Sequence, residues 1–220
     1  VLLSLGAALA VGAANGAFIA GFRIQPIIVT LAALITWRGV AQVLSRGGQL
    51  ISFSNPDFES LGKGYAGPVP VQVLITAAVM IAAMAVMRAT SFGRYVVAAG
   101  GNEEAAWLAG VKVGRTKIAV YAASGLLAGL AGLIETARLG ASDAAKIGLN
   151  IELDAIAAVV VGGTPLTGGR ATLFGTLVGA LIMQIITTSF NMLLIPYSWS
   201  LVLKASIILF AVYLQRPKIA

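Results

Sequence analysis

The chain has 220 residues, of which 59% are apolar and 10% charged, and its mean hydropathy is +0.94; these values exclude an ordinary water-soluble enzyme. Lys and Arg number 15 against 8 Asp and Glu, a net charge of +7, yet the charges cluster between long uncharged runs, which argues against a nucleic-acid-binding face. The absence of Cys and His removes disulfides, thiolate or imidazole metal sites, Cys nucleophiles and His general bases, so neither a metal nor a cofactor is expected.

A segment that enters hydrocarbon must satisfy its own backbone polar groups, and about 20 consecutive apolar residues do so as a helix. Residues 1–22 carry no charge and read as a first span. The run opens without Met or a basic start, so the expectation is a chain entered part-way, with further spans upstream. Pro26 suits the first turn of a second helix over about residues 27–44, because no N–H is needed there. Residues 45–70 hold Gly, Pro, Asn and four charges and read as a loop. A third helix is expected over residues 71–87.

Residues 88–117 form a polar stretch with five basic side chains (Arg88, Arg94, Lys112, Arg115 and Lys117) and two acids (Glu103 and Glu104). A fourth helix is expected over residues 118–134, followed by a mixed-charge segment, 135–154. There Glu135 and Arg138 have the spacing of a local ion pair, and Glu152 and Asp154 could meet a partner or cap a helix. A short apolar run, 155–161, ends in Gly162, Gly163, Thr164 and Pro165. The last two helices read as 171–194 and 201–214, joined at Pro196 and closed by Arg216 and Lys218.

Placing the five-basic stretch in the cytoplasm puts Arg23, residues 168–170 and the C-terminus inside, and residues 45–70, residues 135–154 and Pro196 outside. The alternation requires residues 155–167 to cross. At 13 residues that segment is short and reads as part helix, part re-entrant turn. The fold class expected is all-α: a polytopic transmembrane helical bundle in which residues 1–220 form a single domain.

The 26 glycines are a packing signal, since membrane helices approach closely only where side chains are small. Pairs at four-residue spacing occur at Gly12 and Gly16, Gly125 and Gly129, and Gly175 and Gly179, each inside an expected span. Arg38 is the one charge deep in a span and could bond a polar substrate, although snorkelling or pairing with an outer-loop carboxylate competes with that role. Lys204 stands nearer the outside and reads as a snorkelling side chain. None of the carboxylates forms a pair that suggests acid–base catalysis.

The polar stretch contains a short helix signal of its own. Asn102 suits an N-cap, Glu103 and Glu104 place negative charge on the first turn, and Gly110 can close the helix at its end. Ala105, Ala106, Trp107, Leu108 and Ala109 lie between. Composition permits a helix lying on lipid headgroups with Trp107 as anchor; it also permits a docking helix for a soluble partner. The run GTPLTGGR (residues 163–170) has the glycine separation of a P-loop but lacks its Lys and Ser/Thr, so it does not bind nucleotide. Gly-rich backbone at membrane depth is tolerated beside a cavity or inside protein, so a bend by a permeation path and a plain helix connection both remain open.

Three runs are specific enough to carry a resemblance: AAGGNEEAAWLAGVKVGRTKIAVYAASGLLAGLAGLIETARLG (98–140), ELDAIAAVVVGGTPLTGGRATLFGTLVGALI (152–182) and RGVAQVLSRGGQLISFSNPDF (38–58). The chain resembles the membrane permease subunits of bacterial ABC importers for monosaccharides, of the ribose, xylose and galactofuranose type, over nearly its whole length. The resemblance implies an inner-membrane permease that pairs with a second, identical or related subunit. It also implies that sugar arrives from a periplasmic sugar-binding protein and that a separate cytoplasmic ATPase subunit drives transport, so the permease itself is not an enzyme. In such permeases a short cytoplasmic helix fits a groove in the ATPase, and Asn102, Glu103, Glu104, Ala105, Ala106, Trp107, Leu108 and Gly110 occupy the matching place.

A sugar brings hydroxyls and no charge, so its path needs polar groups without strong binding. Thr30, Thr36, Arg38, Gln42, Thr187 and Asn191 are candidates within spans, although an in-helix Thr commonly bonds its own backbone. Two rival readings stand beside the importer. One is a channel or ion-coupled carrier working without ATP, for which Arg38 is the only ionisable residue at mid-span; the other is a membrane scaffold whose residues 102–110 recruit a cytoplasmic partner.

Overall fold

In the computed structural model the described residues are 1–52, 55–144 and 146–214, without the side chains of residues 197 and 214. Arg216 and Lys218, expected to close the last helix, lie outside them. Among the described residues, ten helices and four two-residue strands follow in chain order: α1 (Leu2–Phe22), α2 (Pro26–Leu44), β1 (Ile51–Ser52), α3 (Pro56–Lys63), β2 (Tyr65–Ala66), β3 (Val69–Pro70), α4 (Val71–Ala89), α5 (Ser91–Gly101), α6 (Glu103–Leu108), α7 (Val113–Leu139), β4 (Ala141–Ser142), α8 (Ile151–Val161), α9 (Leu173–Met192) and α10 (Tyr197–Leu214). Five of these, α1, α2, α4, α7 and α9, are long and apolar enough to cross a membrane. Helices α2 and α4 have no buried residue at all, an arrangement water would not tolerate for such apolar faces but lipid or neighbouring protein would.

The chain forms two compact units, one of residues 1–99 and 104–149, the other of residues 100–103 and 150–220. The first unit is organised around α1 and α7, and glycine decides how closely they approach. A Cβ placed on Gly12 would land on the backbone carbonyl of Tyr121, one on Gly16 would stand 2.7 Å from the Ile118 Cα, and one on Gly125 would strike the Ala8 carbonyl. A Cβ on Gly129 would stand 2.5 Å from the Ala8 Cβ. Both pairs picked out by spacing therefore sit in one crossing.

The segment expected as a loop, residues 45–70, is more structured than that. Asn55 caps α3, its Oδ1 accepting from the amides of Asp57 and Phe58 at 3.1 and 3.2 Å. Pro56 fills the first turn, and Glu59 pairs with Lys63 at 3.1 Å. Gly62 lies directly on the backbone of Ala137 and Arg138, which seats α3 on α7. Ile51 pairs with Ser142 and Ser52 with Ala141 in antiparallel register, so the segment after α2 and the segment after α7 share one end of the unit, the side that charge bias assigns to the outside. Tyr65–Ala66 folds back on Val69–Pro70 through Gly67, whose φ is +67°.

Residues 88–117 also differ from expectation: α5 occupies 11 of them, and α7 begins at Val113, five residues before the expected start, and runs for 27 residues to Leu139. The spacing of Glu135 and Arg138 suggested an ion pair, but they form none among the described residues; both residues are exposed.

In the second unit α8 and α9 make a tight hairpin. Gly162 and Gly175 meet backbone to backbone, and Gly179 lies on the Ala158 carbonyl, so the third glycine pair also marks a close crossing. Helix α8 has 11 residues, about 16 Å at 1.5 Å per residue, and stops at Gly163 with φ +83°. It is half a span, and the remainder of residues 155–167 is turn.

Lys204 does not snorkel. It is 4% exposed and its Nζ meets both Asp154 carboxylate oxygens, at 2.7 and 2.8 Å. Lys204 lies seven residues into α10, roughly 10 Å along its axis, where an unpaired ammonium would be costly. Asp154, in the first turn of α8, supplies the counter-charge from a position the helix dipole also favours.

Two outcomes follow for the purified protein. Gly12→Val should lower the folded yield and destabilise the α1–α7 crossing by about 2 kcal/mol through overpacking, whereas Gly39→Val, where an added Cβ meets nothing within 4 Å, should leave thermal unfolding unchanged. Asp154→Asn should cost about 2 kcal/mol, less than for a fully buried pair because water reaches the carboxylate. Thermal unfolding in detergent should then recover in the Asp154→Asn, Lys204→Met double variant; a double variant as unstable as the single one would count against the pairing.

Candidate functional site

Helix α6 has a defined stop. The Gly110 amide donates to the Trp107 carbonyl at 2.9 Å and the Val111 amide to the Ala106 carbonyl at 3.0 Å. With Gly110 at φ +84°, this is the paired closure that a left-handed residue makes at a helix C-terminus. Asn102 stands immediately before the helix, in the N-cap position. Of the coupling candidates, Ala106 alone is buried, at 5% exposure; Glu103, Glu104, Ala105 and Gly110 are exposed, and Trp107 and Leu108 are 66% and 73% exposed.

The result is a short rigid plug with an apolar tip and an acidic shoulder. Its flanks are anchored. Before it, the Thr90 hydroxyl donates to the Val86 carbonyl at 2.6 Å between α4 and α5, and Gly93 presses on the Met87 backbone. After it, Val113 and Thr116 are buried at the start of α7. Large apolar side chains held out from a fixed backbone by polar neighbours are what a protein partner's pocket recognises.

The permeation candidates fall on two helices. On α2, the Thr30 hydroxyl donates to the Pro26 carbonyl at 3.0 Å and the Thr36 hydroxyl to the Ala32 carbonyl at 2.9 Å. Arg38 reaches the Gly148 carbonyl at 3.5 Å, so its partner is a backbone oxygen in place of the expected carboxylate. Gln42 lies one turn further along the same face, half-buried. On α9, the Thr187 hydroxyl donates to the Met183 carbonyl at 3.0 Å and Asn191 is exposed. All three threonines spend their proton on their own helix, and Arg38, Gln42 and Asn191 keep the more available side-chain groups.

The loop after α8 is not a phosphate cradle. The Thr172 hydroxyl donates to the Gly162 carbonyl at 2.9 Å, and its amide donates to the Thr164 hydroxyl at 3.1 Å. The two hydroxyls lie 2.8 Å apart, which leaves Thr164 as the donor between them. This bracket closes residues 164–172 into a fixed loop. Neither it nor the Asp154–Lys204 pair was singled out from sequence, although one signal existed: two opposite charges inside apolar helices must find each other or reach water.

The family model described as branched-chain amino acid transport system / permease component matches residues 1–212. The ribose import permease protein of Escherichia coli (strain K12) is 42% identical over 219 residues, covering 98% of this chain and 67% of that protein. The galactofuranose transporter permease protein of the same organism is 38% identical over 219 residues, covering 99% of this chain and 64% of that protein. The xylose transport system permease protein of Haemophilus influenzae is 44% identical over 147 residues, covering 67% of this chain and 39% of that protein. The chain thus spans about two thirds of the length of the first two relatives. No solved structure matches it. With five apolar helices of spanning length and a family match along almost the whole chain, this is an all-α, multi-pass membrane protein that belongs to the permease-component family of ABC transport systems.

Proposed function

We propose that the chain is the transmembrane subunit of an ATP-driven importer in the bacterial inner membrane, carrying a monosaccharide by alternating access. In this reading residues 1–220 act as one permease domain with a cytoplasmic coupling loop over residues 88–117. The observation that carries it is the 38–44% identity to permeases named for ribose, galactofuranose and xylose. That favours a sugar over the amino acids named in the family description. Sugar comes from a periplasmic sugar-binding protein, a second permease subunit completes the pathway, and a cytoplasmic ATPase subunit hydrolyses ATP.

Helix α6 is the ATPase-coupling element, with Trp107 and Leu108 as the apolar anchor and Glu103 and Glu104 at its edge. Closure of the ATPase subunits on ATP displaces α6, and transport requires that the ATP-bound and free states favour different permease conformations. Along the path, Arg38, Gln42 and Asn191 offer hydroxyl partners; Thr30, Thr36 and Thr187 offer oxygens whose protons are already committed.

Capture of the ATPase subunit by the permease from solubilised membranes tests the docking role. Trp107→Ala and Glu104→Arg should leave membrane insertion intact and weaken capture, the first by about 2 kcal/mol as for a buried aromatic anchor; full capture by both variants would reject α6 as the docking element. For the path, Thr36→Val should leave the KM for uptake unchanged because its hydroxyl serves the helix, while Asn191→Leu should raise it. Uptake of branched-chain amino acids with no response to any pentose or hexose would contradict the sugar assignment.

A further inference from the structure

The loop of residues 163–170 touches the chain just ahead of α6. A Cβ on Gly168 would fall on the Gly100 carbonyl, and one on Gly100 would stand 3.3 Å from the Gly169 amide nitrogen. A Cβ on Gly169 would lie 3.2 Å from the Gly101 Cα, and one on Gly101 would lie 3.4 Å from the Gly169 Cα. Four glycines thus meet main chain to main chain. Gly168 and Gly169 have φ of +85° and +81°, a conformation that side chains resist, so the loop shape and the close approach both depend on glycine.

We propose that Gly100 and Gly101, seated on Gly168 and Gly169, are the contact through which displacement of the coupling helix reaches the α8–α9 hairpin. This rests on the docking role of α6. Gly101 is joined to α6 through Asn102 alone, so a shift of the helix pulls directly on Gly100 and Gly101. No side chain lies between the two backbones, and hence no rotamer change can absorb that shift. The receiving loop is stiff as well: the Thr164–Thr172 bracket ties it to Gly162. Gly162 sits on Gly175, and Asp154 holds α8 to α10 through Lys204. Motion entering at Gly168 therefore moves the half-span helix and its partners as one body.

The test uses the permease assembled with its ATPase in lipid, with hydrolysis measured with and without sugar-loaded binding protein. Gly100→Leu should still capture the ATPase but lose stimulation by at least about fivefold, the low end of ordinary coupling between sites. Gly21→Leu, at a position where an added Cβ meets nothing within 4 Å, should stimulate as the unaltered protein does. Normal stimulation in Gly100→Leu overturns the proposal. A second variant guards against misfolding: Gly100→Ala adds one methyl group at the same contact, 3.3 Å from the Gly169 amide nitrogen. Its stimulation should fall between that of the unaltered protein and that of Gly100→Leu with thermal unfolding unchanged; full stimulation, or a loss no greater than the loss of folded protein, overturns the proposal. If the unaltered permease captures no ATPase, the docking reading and this contact fall together, whereas capture with normal coupling in Gly100→Leu removes the contact alone.

Discussion

Direct contact between backbones at glycine is the constraint on which this structure depends. Between two apolar helices in lipid there is no hydrophobic driving force, and association relies on close packing. Gly12 against Tyr121, Gly125 against Ala8, Gly62 against Ala137 and Gly162 against Gly175 all place main chain on main chain. The same device seats Gly100 on Gly168 in the loop between α8 and α9. Each of these positions would be filled by a single methyl group.

Polar interactions are few and placed where packing alone would leave a group unsatisfied. The Asp154–Lys204 pair neutralises two charges inside apolar helices. The hydroxyls of Thr164 and Thr172 replace helical hydrogen bonds lost where α8 stops short of a full span. Arg38 finds the backbone carbonyl of Gly148. Such local satisfaction is what allows irregular backbone within a membrane protein.

The spans were legible because composition decides them: five uncharged or nearly uncharged runs became α1, α2, α4, α7 and α9 within a few residues at most ends. Glycine spacing was legible too, since all three pairs lie in close crossings. The helix α3 was missed although Asn55, Pro56 and the acids Asp57 and Glu59 form an ordinary N-terminal signature; eight residues among Gly and Pro did not stand out from a loop. Helix α5 was missed because three of its eleven residues are glycine: Gly93 packs on the neighbouring Met87 backbone, whereas Gly100 and Gly101 pack on Gly168 and Gly169, nearly seventy residues on. The partner of Lys204 is fifty residues away, and spacing within one helix carries no information about it. For the candidate residues, closure at Gly110 followed from the sequence, and the general tendency of an in-helix Thr to bond its own backbone is met at Thr30, Thr36 and Thr187, each of whose partners needed coordinates.

In the proposed function a separate ATPase drives this permease through α6 in response to a loaded binding protein. The most direct measurement is ATP hydrolysis by the complex in lipid nanodiscs, with and without the periplasmic sugar-binding protein carrying each member of a pentose and hexose panel. One or a few loaded sugars should raise hydrolysis above the rate with empty binding protein. An associated ATPase whose rate ignores every loaded sugar, or a folded permease that transports sugar with no ATPase present, would contradict it.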